Sequence, residues 1–227
     1  MSEAANMSPW TSPIQAVAFD MDGLLVNTEE LYSEVGTALL ARRNRTFTSK
    51  LKDAMTGLPG VEAFKVMIEW ESLNDSIETL AKESAEIFED ILPKRLMLLP
   101  GVESLLDHLD TINMQRCVAT SSSHRFAERV LSLTKLRNRF SFVITAEDVE
   151  RGKPHPDIYQ GAAQRLQVAE KQMLVLEDSH HGSRAGVTAG ACTVAVPGPH
   201  SLHHDFDGVH LIANTLNDPR LRVLVGS

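Results

Sequence analysis

Two pairs of acidic residues that lie far apart in the chain are the first candidates for chemistry. Asp20 and Asp22 follow one short apolar run, and Glu177 and Asp178 follow another. Carboxylates that share a crevice repel one another unless a hard cation lies between them, and oxygen ligands in an open site suit Mg²⁺. A carboxylate held beside that cation can attack phosphorus and form an acyl phosphate, and a second carboxylate two residues away can protonate the leaving oxygen.

Hydroxyl and ammonium groups at two further points complete this set of candidates. Thr120 and Ser121 open a run of hydroxyl residues after a third apolar run, and Lys153 lies between Gly152 and Pro154 in a predicted loop. Such donors, together with backbone N–H groups at the start of a helix, can hold the oxygens of a phosphoryl group. The whole set therefore indicates Mg²⁺-dependent phosphoryl transfer, followed by hydrolysis of the acyl phosphate.

The hydrophobic pattern explains how residues so far apart in sequence can meet. Residues 14–19 form an apolar run with the length and composition of a buried strand. From residue 98 onward, helical periodicity alternates with short apolar runs, which predicts βαβ units in a doubly wound parallel α/β sheet. Further strands are predicted at residues 117–120, 142–144, 173–176 and 192–196. Ligands bind at the carboxyl ends of such strands, so the candidate residues are expected to share one crevice.

Residues 29–97 have a different pattern, which interrupts the predicted sheet after its first strand. Apolar residues follow helical spacing at positions 31–39, 61–68 and 77–92. Asp75 followed by Glu78 predicts the amino-terminal cap of the third of these helices, and residues 57–60 predict a turn between the first two. The expected domains are a flexible leader at 1–13, an α/β catalytic core at 14–28 and 98–227, and an all-helical cap domain at 29–97.

A purely structural interpretation exists for each motif taken alone. Asp22 and Gly23 form a common turn signal, residues 120–123 can cap one helix, and residues 177–178 can cap another. Lys153 could be a solvated loop lysine, which is the usual environment of lysine. The occurrence of all four at predicted strand ends favours the functional interpretation.

Composition and charge argue against several other classes of protein. The 227 residues carry a formal net charge of −8, which does not favour binding to nucleic acid or to a membrane surface. No apolar stretch has the length of a membrane span, and the polar start of the chain lacks the features of a secretory signal. Cys117 and Cys192 lie inside apolar runs and are predicted to be buried thiols rather than a disulfide. A cytoplasmic location fits these properties; the sequence leaves the oligomeric state open, with a monomer favoured.

Four segments resemble, in order, the motifs of the haloacid dehalogenase superfamily. They are residues 19–25, 118–122, 152–157 and 176–190, and the similarity extends from about residue 17 to residue 197. A lone Asp-x-Asp would be a weak signal, whereas four motifs in order, each at a predicted strand end, are a strong one. The resemblance implies a Rossmann-like core with an inserted helical cap, in the phosphatase and phosphomutase branch of the superfamily.

The resemblance also implies a role for each acid of the first motif. Asp20 would be the nucleophile and a metal ligand. Asp22 would be the general acid and base, and its backbone carbonyl would also ligate the metal. Haloalkanoate dehalogenases and phosphonatases of this superfamily lack the second acid, so Asp22 argues against both activities.

The later motifs would supply the rest of the site. The resemblance implies that Thr120 and the Ser121 amide bind phosphate, and that Lys153 bridges the phosphate and the nucleophile. Asp178 would ligate Mg²⁺, and Glu177 would ligate it or orient a ligand.

The sequence favours a hydrolase over two alternatives. In β-phosphoglucomutases a histidine stands where Tyr32 falls, and an arginine stands near Gly60. This chain has neither residue at these positions. We therefore expect an enzyme that removes phosphate from a small phosphorylated metabolite, such as a sugar or nucleoside phosphate. A phosphomutase is the second interpretation, and a non-catalytic binding protein on the same fold is the third.

Three further sequence features have competing interpretations. Two histidine pairs, residues 180–181 and 203–204, suggest zinc, but they lack partners at ligand spacing and are expected to be surface residues. Residues 42–45, which hold three arginines, could bind an anionic substrate, although a solvated helix end is favoured. Leu58 and Pro59 are candidates for contact with the leaving group.

Overall fold

The computed structural model describes residues 10–55, 58 and 60–226, and it divides the chain into two compact units. One unit comprises the residues up to Asn27 together with Met97 and those after it, and the second comprises Thr28–Leu96. Both boundaries fall one residue before the predicted ones. That the inserted unit is a cap, and the other unit the catalytic core, stays a prediction.

A six-stranded parallel sheet forms the centre of the first unit, which confirms the predicted α/β fold class. Its strands are β1 (Ala16–Phe19), β2 (Gln115–Ala119), β3 (Val143–Ile144), β4 (Met173–Glu177), β5 (Cys192–Ala195) and β6 (Leu211–Ile212). They lie in the order β3-β2-β1-β4-β5-β6, and every neighbouring pair is parallel. The sequence analysis does not predict the strand β6, which has only two residues, of which Ile212 is exposed.

The second unit is helical throughout its described secondary structure. Its helices are α1 (Thr28–Ala41), α2 (Ser49–Met55), α3 (Gly60–Glu71) and α4 (Ile77–Arg95). Each contributes one residue to a buried cluster, namely Leu40, Leu51, Met67 and Leu80. The helix α2 was not predicted, because Leu51 is its one buried residue and a single apolar contact leaves no periodic pattern.

The predicted cap of α4 is wrong by one residue. The N-cap is Ser76, whose hydroxyl accepts a hydrogen bond from the Thr79 N–H at 3.2 Å. The Asp75 carboxylate instead pairs with the guanidinium group of Arg43. Because a hydroxyl caps a helix about as well as a carboxylate does, Ser76 can take this position and leave Asp75 free to form the ion pair.

The remaining helices belong to the first unit and pack on both sides of the sheet. They are α5 (Val102–Thr111), α6 (His124–Leu133), α7 (Asp157–Leu166), α8 (His180–Ala189) and α9 (Pro219–Val225). A buried cluster joins α7 and α8 to the central strands and includes Ala18, Cys117, Tyr159 and Val175. Cys117 and Cys192 are free and buried, as predicted, and burial raises the pKa of both thiols.

The register of the strands brings their carboxyl ends level with one another. Phe19 of β1 pairs with Val118 of β2 on one side and with Leu176 of β4 on the other. The next residues, Asp20 and Glu177, therefore lie side by side at the edge of the sheet. None of the described helices combines the length and the apolar character that a membrane span requires.

Candidate active site

Asp20 begins the loop that leaves the central strand β1. Its N–H donates to the carbonyl oxygen of Leu176 at 2.9 Å, and the residue is only 6% exposed. The loop then turns sharply at Gly23, which has φ +79°, a conformation that favours glycine. The Gly23 N–H donates to the Val26 carbonyl oxygen at 3.0 Å. This turn holds Asp20 and Asp22 on one short segment of backbone.

The ammonium group of Lys153 joins the ends of three strands. Its Nζ atom donates to Asp20 Oδ1 at 2.6 Å, to Glu177 Oε1 at 2.6 Å and to the Ala119 carbonyl oxygen at 2.9 Å. These acceptors match the three donors of an ammonium group. The lysine side chain is 5% exposed, so these contacts lie out of bulk water. The structure thus brings together three of the predicted residues from distant parts of the chain.

Glu177 is enclosed by hydrogen-bond donors. Besides Lys153, its Oε1 atom accepts from the Tyr159 hydroxyl at 2.6 Å. Its Oε2 atom accepts from the Ser179 hydroxyl at 3.1 Å and from the Ser179 N–H at 3.4 Å. A Cβ atom on Gly182 would lie 1.8 Å from Glu177 Oε1, so only glycine leaves room for this carboxylate. Both oxygens of the buried glutamate are therefore satisfied within the protein.

Asp20, Glu177 and Asp178 form a compact group of buried carboxylates. One ligand oxygen from each lies within 4.8 Å of the others. Burial raises the pKa of Asp20 well above its usual value, Lys153 partly offsets this, and the charges of Glu177 and Asp22 raise it further. Clustered hard oxygen donors that carry more negative charge than one ammonium group balances suit a divalent cation such as Mg²⁺. These residues therefore fit the predicted metal.

The Asp22 carboxylate faces the hydroxyl groups at the end of β2. Its Oδ2 atom accepts from Thr120 Oγ1 at 3.1 Å and from Ser122 Oγ at 2.8 Å. The Ser122 N–H in turn donates to Thr120 Oγ1 at 3.0 Å. Ser121 lies between these two residues and is exposed. The candidate proton donor and the candidate phosphate-binding residues thus share one short hydrogen-bonded network.

The sequence profile of the haloacid dehalogenase-like hydrolases matches residues 17–196, which include the whole of this network. The chain belongs to this family. It is 35% identical over 209 residues to (DL)-glycerol-3-phosphatase 2 of Arabidopsis thaliana, an alignment that covers 88% of this chain and 86% of that protein. It is 36% identical over 189 residues to a probable pseudouridine-5'-phosphatase of Drosophila melanogaster, with 80% of each chain covered.

A solved structure supports the same family assignment. A crystal structure from Thermotoga maritima, provisionally named a β-phosphoglucomutase, superimposes with a TM-score of 0.81 at 29% identity. The superposition covers 93% of this haloacid dehalogenase-like chain and 98% of the other. Both the helical insertion and the sheet therefore fall within the shared fold.

Tyr159 and Ser179 contact the candidate site although the sequence gave neither of them a role there, and both donate to Glu177. Ser122, which donates to Asp22, belongs to the run of hydroxyl residues that the sequence placed at this site. Ser179 is also the N-cap of α8, and its hydroxyl accepts from the Gly182 N–H at 3.1 Å. The only sequence signal for Tyr159 and Ser179 is their position beside or within the family motifs.

The two histidine pairs come close together in space. The His180 N–H donates to His204 Nδ1 at 3.4 Å, and the neighbouring rings of His203 and His204 lie 4.8 Å apart. Among the described residues, however, the group of three or more potential metal ligands that converges is the carboxylate cluster. That these histidines are surface residues rather than zinc ligands stays a prediction; His181 and His203 are exposed, and His180 and His204 are half-buried.

The arginine run, residues 42–45, forms ion pairs within the helical unit. Arg43 pairs with Asp75 and Glu83, and its Nη1 atom donates to the Leu39 carbonyl oxygen at the end of α1 at 2.9 Å. Its side chain is only 14% exposed, so the expectation of a solvated helix end is wrong for Arg43. Leu58 is exposed, and Pro59 and the predicted turn residue Gly57 lie outside the described residues.

Proposed function

We propose that this chain is a Mg²⁺-dependent phosphomonoesterase that acts on a small phosphorylated metabolite through a phosphorylated Asp20. The observation that carries the proposal is the buried contact of Lys153 with Asp20 and Glu177 at the carboxyl ends of the central strands. An ammonium group at this position can stabilise both the attacking carboxylate and the phosphoryl oxygens. The phosphatase names of the two curated relatives support the same reaction class.

The first half of the reaction forms the acyl phosphate. An oxygen of Asp20 attacks phosphorus, and the bond between phosphorus and the ester oxygen breaks. Asp22, protonated at this stage, gives its proton to the leaving oxygen. The Thr120 hydroxyl and the Ser121 N–H would hold the phosphoryl oxygens, which requires Thr120 to exchange its hydrogen bond with Asp22 for one with the substrate.

The second half releases inorganic phosphate. The Asp22 carboxylate accepts a proton from water, the water oxygen attacks phosphorus, and the bond to the Asp20 oxygen breaks. Asp20 returns as a carboxylate beside Lys153. The same acid thus acts first as a proton donor and then as a proton acceptor.

Asp20, Asp178 and the Asp22 carbonyl would hold the metal ion, and Glu177 would either join them or orient Lys153. When bound, Mg²⁺ would neutralise the clustered carboxylates and draw charge from the phosphoryl oxygens. The raised pKa of Asp20 explains why a cation would be needed here: a positive charge beside the buried carboxyl group would keep Asp20 ionised and nucleophilic.

Three broader assignments accompany this function. We propose that the helical unit, residues 28–96, serves as the cap that selects the substrate. The two free thiols suit a reducing compartment, and we propose the cytoplasm. A monomer remains the expected oligomeric state.

Release of inorganic phosphate from a panel of phosphomonoesters tests the proposal. The panel should include glycerol 3-phosphate, pseudouridine 5'-phosphate and sugar monophosphates, each with Mg²⁺ and with a chelator. We expect Asp20→Asn to lower the turnover rate by at least about a thousandfold while the circular dichroism spectrum stays unchanged. Asp107→Asn makes the same chemical change on an exposed residue of α5 and should leave turnover intact. Near-normal phosphate release by Asp20→Asn would refute the assignment.

A phosphomutase is the second candidate, favoured by the provisional name of the Thermotoga maritima structure. A mutase transfers the phosphoryl group to a second hydroxyl of the sugar rather than to water. Conversion of a sugar monophosphate to its positional isomer through the sugar bisphosphate, without matching release of inorganic phosphate, would identify it.

A further inference from the structure

Tyr159 is buried against the candidate site and touches both members of its central ion pair. It is the third residue of α7 and has no exposed surface. Its hydroxyl donates to Glu177 Oε1 at 2.6 Å, and Lys153 Nζ lies 5.2 Å from the centre of its ring. The second distance is within the range at which an ammonium group is attracted to an aromatic face. One side chain thus contacts the carboxylate from one direction and the ammonium group from another.

Packing alone does not explain the hydroxyl group. The ring lies in an apolar cluster with Ala18, Cys117 and Val175, where phenylalanine would fill nearly the same space. A buried hydroxyl costs free energy unless it is hydrogen-bonded, and Glu177 is its partner. Glu177 is a carboxylate that can only accept, so the 2.6 Å contact makes the Tyr159 hydroxyl the donor.

The hydrogen bonds to Glu177 fix the direction of its carboxylate. Ser179 holds one oxygen, and Tyr159 and Lys153 share the other. Without the Tyr159 hydroxyl, Oε1 would keep only Lys153 as a partner, and the carboxylate, still held at Oε2 by Ser179, could tilt on its Oε1 side. Lys153 would then follow it away from Asp20 Oδ1, which it contacts at 2.6 Å.

We propose that Tyr159 is a positioning residue for phosphoryl transfer: its hydroxyl orients Glu177, which in turn holds the Lys153 ammonium group beside Asp20. This inference rests on the proposed function, because it assigns to Lys153 a direct part in the reaction. A displacement of a catalytic group by a fraction of an ångström is enough to slow an enzyme measurably. Tyr159 itself touches neither the substrate nor the metal in this scheme.

The variant Tyr159→Phe tests the proposal, since it removes the hydroxyl and keeps the ring. We expect kcat to fall about tenfold, the size of effect typical of one lost hydrogen bond to a charged group, while KM changes by less than about twofold. Ser183→Ala is the matched control, because it removes another buried hydroxyl of the same unit that makes no hydrogen bond within the protein. It should leave kcat and KM unchanged.

A second readout does not depend on turnover. In the metal-free protein labelled with ¹⁵N-lysine, the buried Lys153 ammonium group should give its own NMR signal, assigned by its absence in Lys153→Arg. We expect Tyr159→Phe to shift this signal and to speed exchange of its protons with water severalfold, because the ammonium group is less firmly held. Ser183→Ala should change neither property.

The outcomes separate this inference from the proposed function. A fall in kcat together with a changed Lys153 signal supports the positioning role. An unchanged kcat overturns the positioning role, even if the variant melts at a lower temperature, because a lower melting temperature alone shows only a structural effect. An unchanged Lys153 signal overturns the proposal that Tyr159 acts through the lysine. If the wild-type protein releases no phosphate from the whole panel, the proposed function fails, and the NMR comparison still decides whether Tyr159 fixes Lys153.

Discussion

In each unit of the molecule we compare a basic side chain, itself at most 14% exposed, that pairs with two acidic ones, and the two groups behave in opposite ways. In the α/β unit, Lys153 pairs with Asp20 and Glu177. In the helical unit, Arg43 pairs with Asp75 and Glu83. Since the composition of the groups is so similar, the difference between them must come from their surroundings.

The group around Arg43 is electrostatically satisfied. Its guanidinium donates to both oxygens of Asp75, at 2.6 and 2.8 Å, and to both oxygens of Glu83, at 3.1 and 3.2 Å. Hydrogen bonds with Arg43 lower the pKa of both carboxyl groups. The two acids keep about a quarter of their side-chain surface in contact with water. Arg42 also pairs with Glu83, at 3.1 Å, so that two positive charges balance the two carboxylates. Such a group stabilises the fold and has no charge left for a ligand.

The group around Lys153 is not satisfied. Its members are buried, further carboxylates lie beside it, and the pKa of Asp20 is raised rather than lowered. An ion pair therefore does not by itself mark a functional site. The direction in which the pKa of the acid moves is more informative, because burial first and the neighbouring carboxylates second raise the pKa of Asp20 in spite of Lys153, so the protein alone does not fully stabilise its charged form.

The largest expected difference between the groups comes from removing their basic residue. Lys153→Met should lower phosphate release by more than about a hundredfold, because the ammonium group stabilises the transferred phosphoryl group. It should also cost about 3–5 kcal/mol of the free energy of unfolding without Mg²⁺, since buried carboxylates lose their partner. Arg43→Met should cost about 1–2 kcal/mol and leave phosphate release within about twofold of wild type at 25 °C. Urea unfolding and steady-state kinetics measure both effects.

This comparison would fail if the two variants behaved alike. Equal losses of turnover would mean that Arg43 also serves the reaction. A fully active Lys153→Met would remove the lysine from the mechanism.

The second prediction concerns the response of the two groups to Mg²⁺. The ion should raise the melting temperature of the wild-type protein, because ligand binding to the folded state stabilises it by RT ln(1 + [L]/Kd), about 2.7 kcal/mol at a concentration of 100 Kd. Asp178→Asn should abolish most of this shift, whereas Asp75→Asn should keep it. A shift that survives Asp178→Asn would place the ion elsewhere.

The third and smallest prediction is the pH dependence of the stability that Arg43 provides. The folded-state pKa values of Asp75 and Glu83 are lowered from their ordinary values of 3.8 and 4.5. A lowered value means that the contribution is fully present above the ordinary pKa and is lost as the pH falls through the folded-state value. The difference in unfolding free energy between wild type and Arg43→Met should thus be constant from about pH 5 to pH 8 and shrink below about pH 4.

Arg42→Met provides the control for this prediction, because Arg42 pairs with Glu83 but is 51% exposed. Exposed pairs contribute little, so its effect should stay below about 1 kcal/mol at every pH. A wild-type advantage over Arg43→Met that grew as the pH fell would contradict the account of this group.

The sequence predicts the sheet and the main site residues because both depend on local patterns. An apolar run that ends in an acid is visible within a few residues, and parallel topology then brings such strand ends together. Asp20, Thr120, Lys153 and Glu177 could therefore be placed at one edge without coordinates. The parallel register of β1 with β2 and β4 turns this expectation into contacts.

The contacts that the sequence does not predict are those between distant, ordinary positions. Tyr159 falls at an apolar position of a helical pattern, which indicates core packing and does not reveal that its hydroxyl reaches Glu177. The sequence predicts Asp75 to be a helix cap, because its true partner, Arg43, lies 32 positions away and local patterns do not reveal it. In both cases another residue type would serve the local role equally well. Only the tertiary contact therefore shows which role the side chain takes.

The phosphorylation of Asp20 is the central claim, and chemical trapping tests it most directly. The enzyme is mixed with its best substrate and Mg²⁺, quenched in acid within the first turnover, and reduced with borohydride, which converts an aspartyl phosphate to homoserine. We predict that mass spectrometry of the peptides finds this change at residue 20 in the wild-type protein and not in Asp20→Asn. Phosphate release without any change at residue 20, or the same change at another acidic residue, would contradict the account.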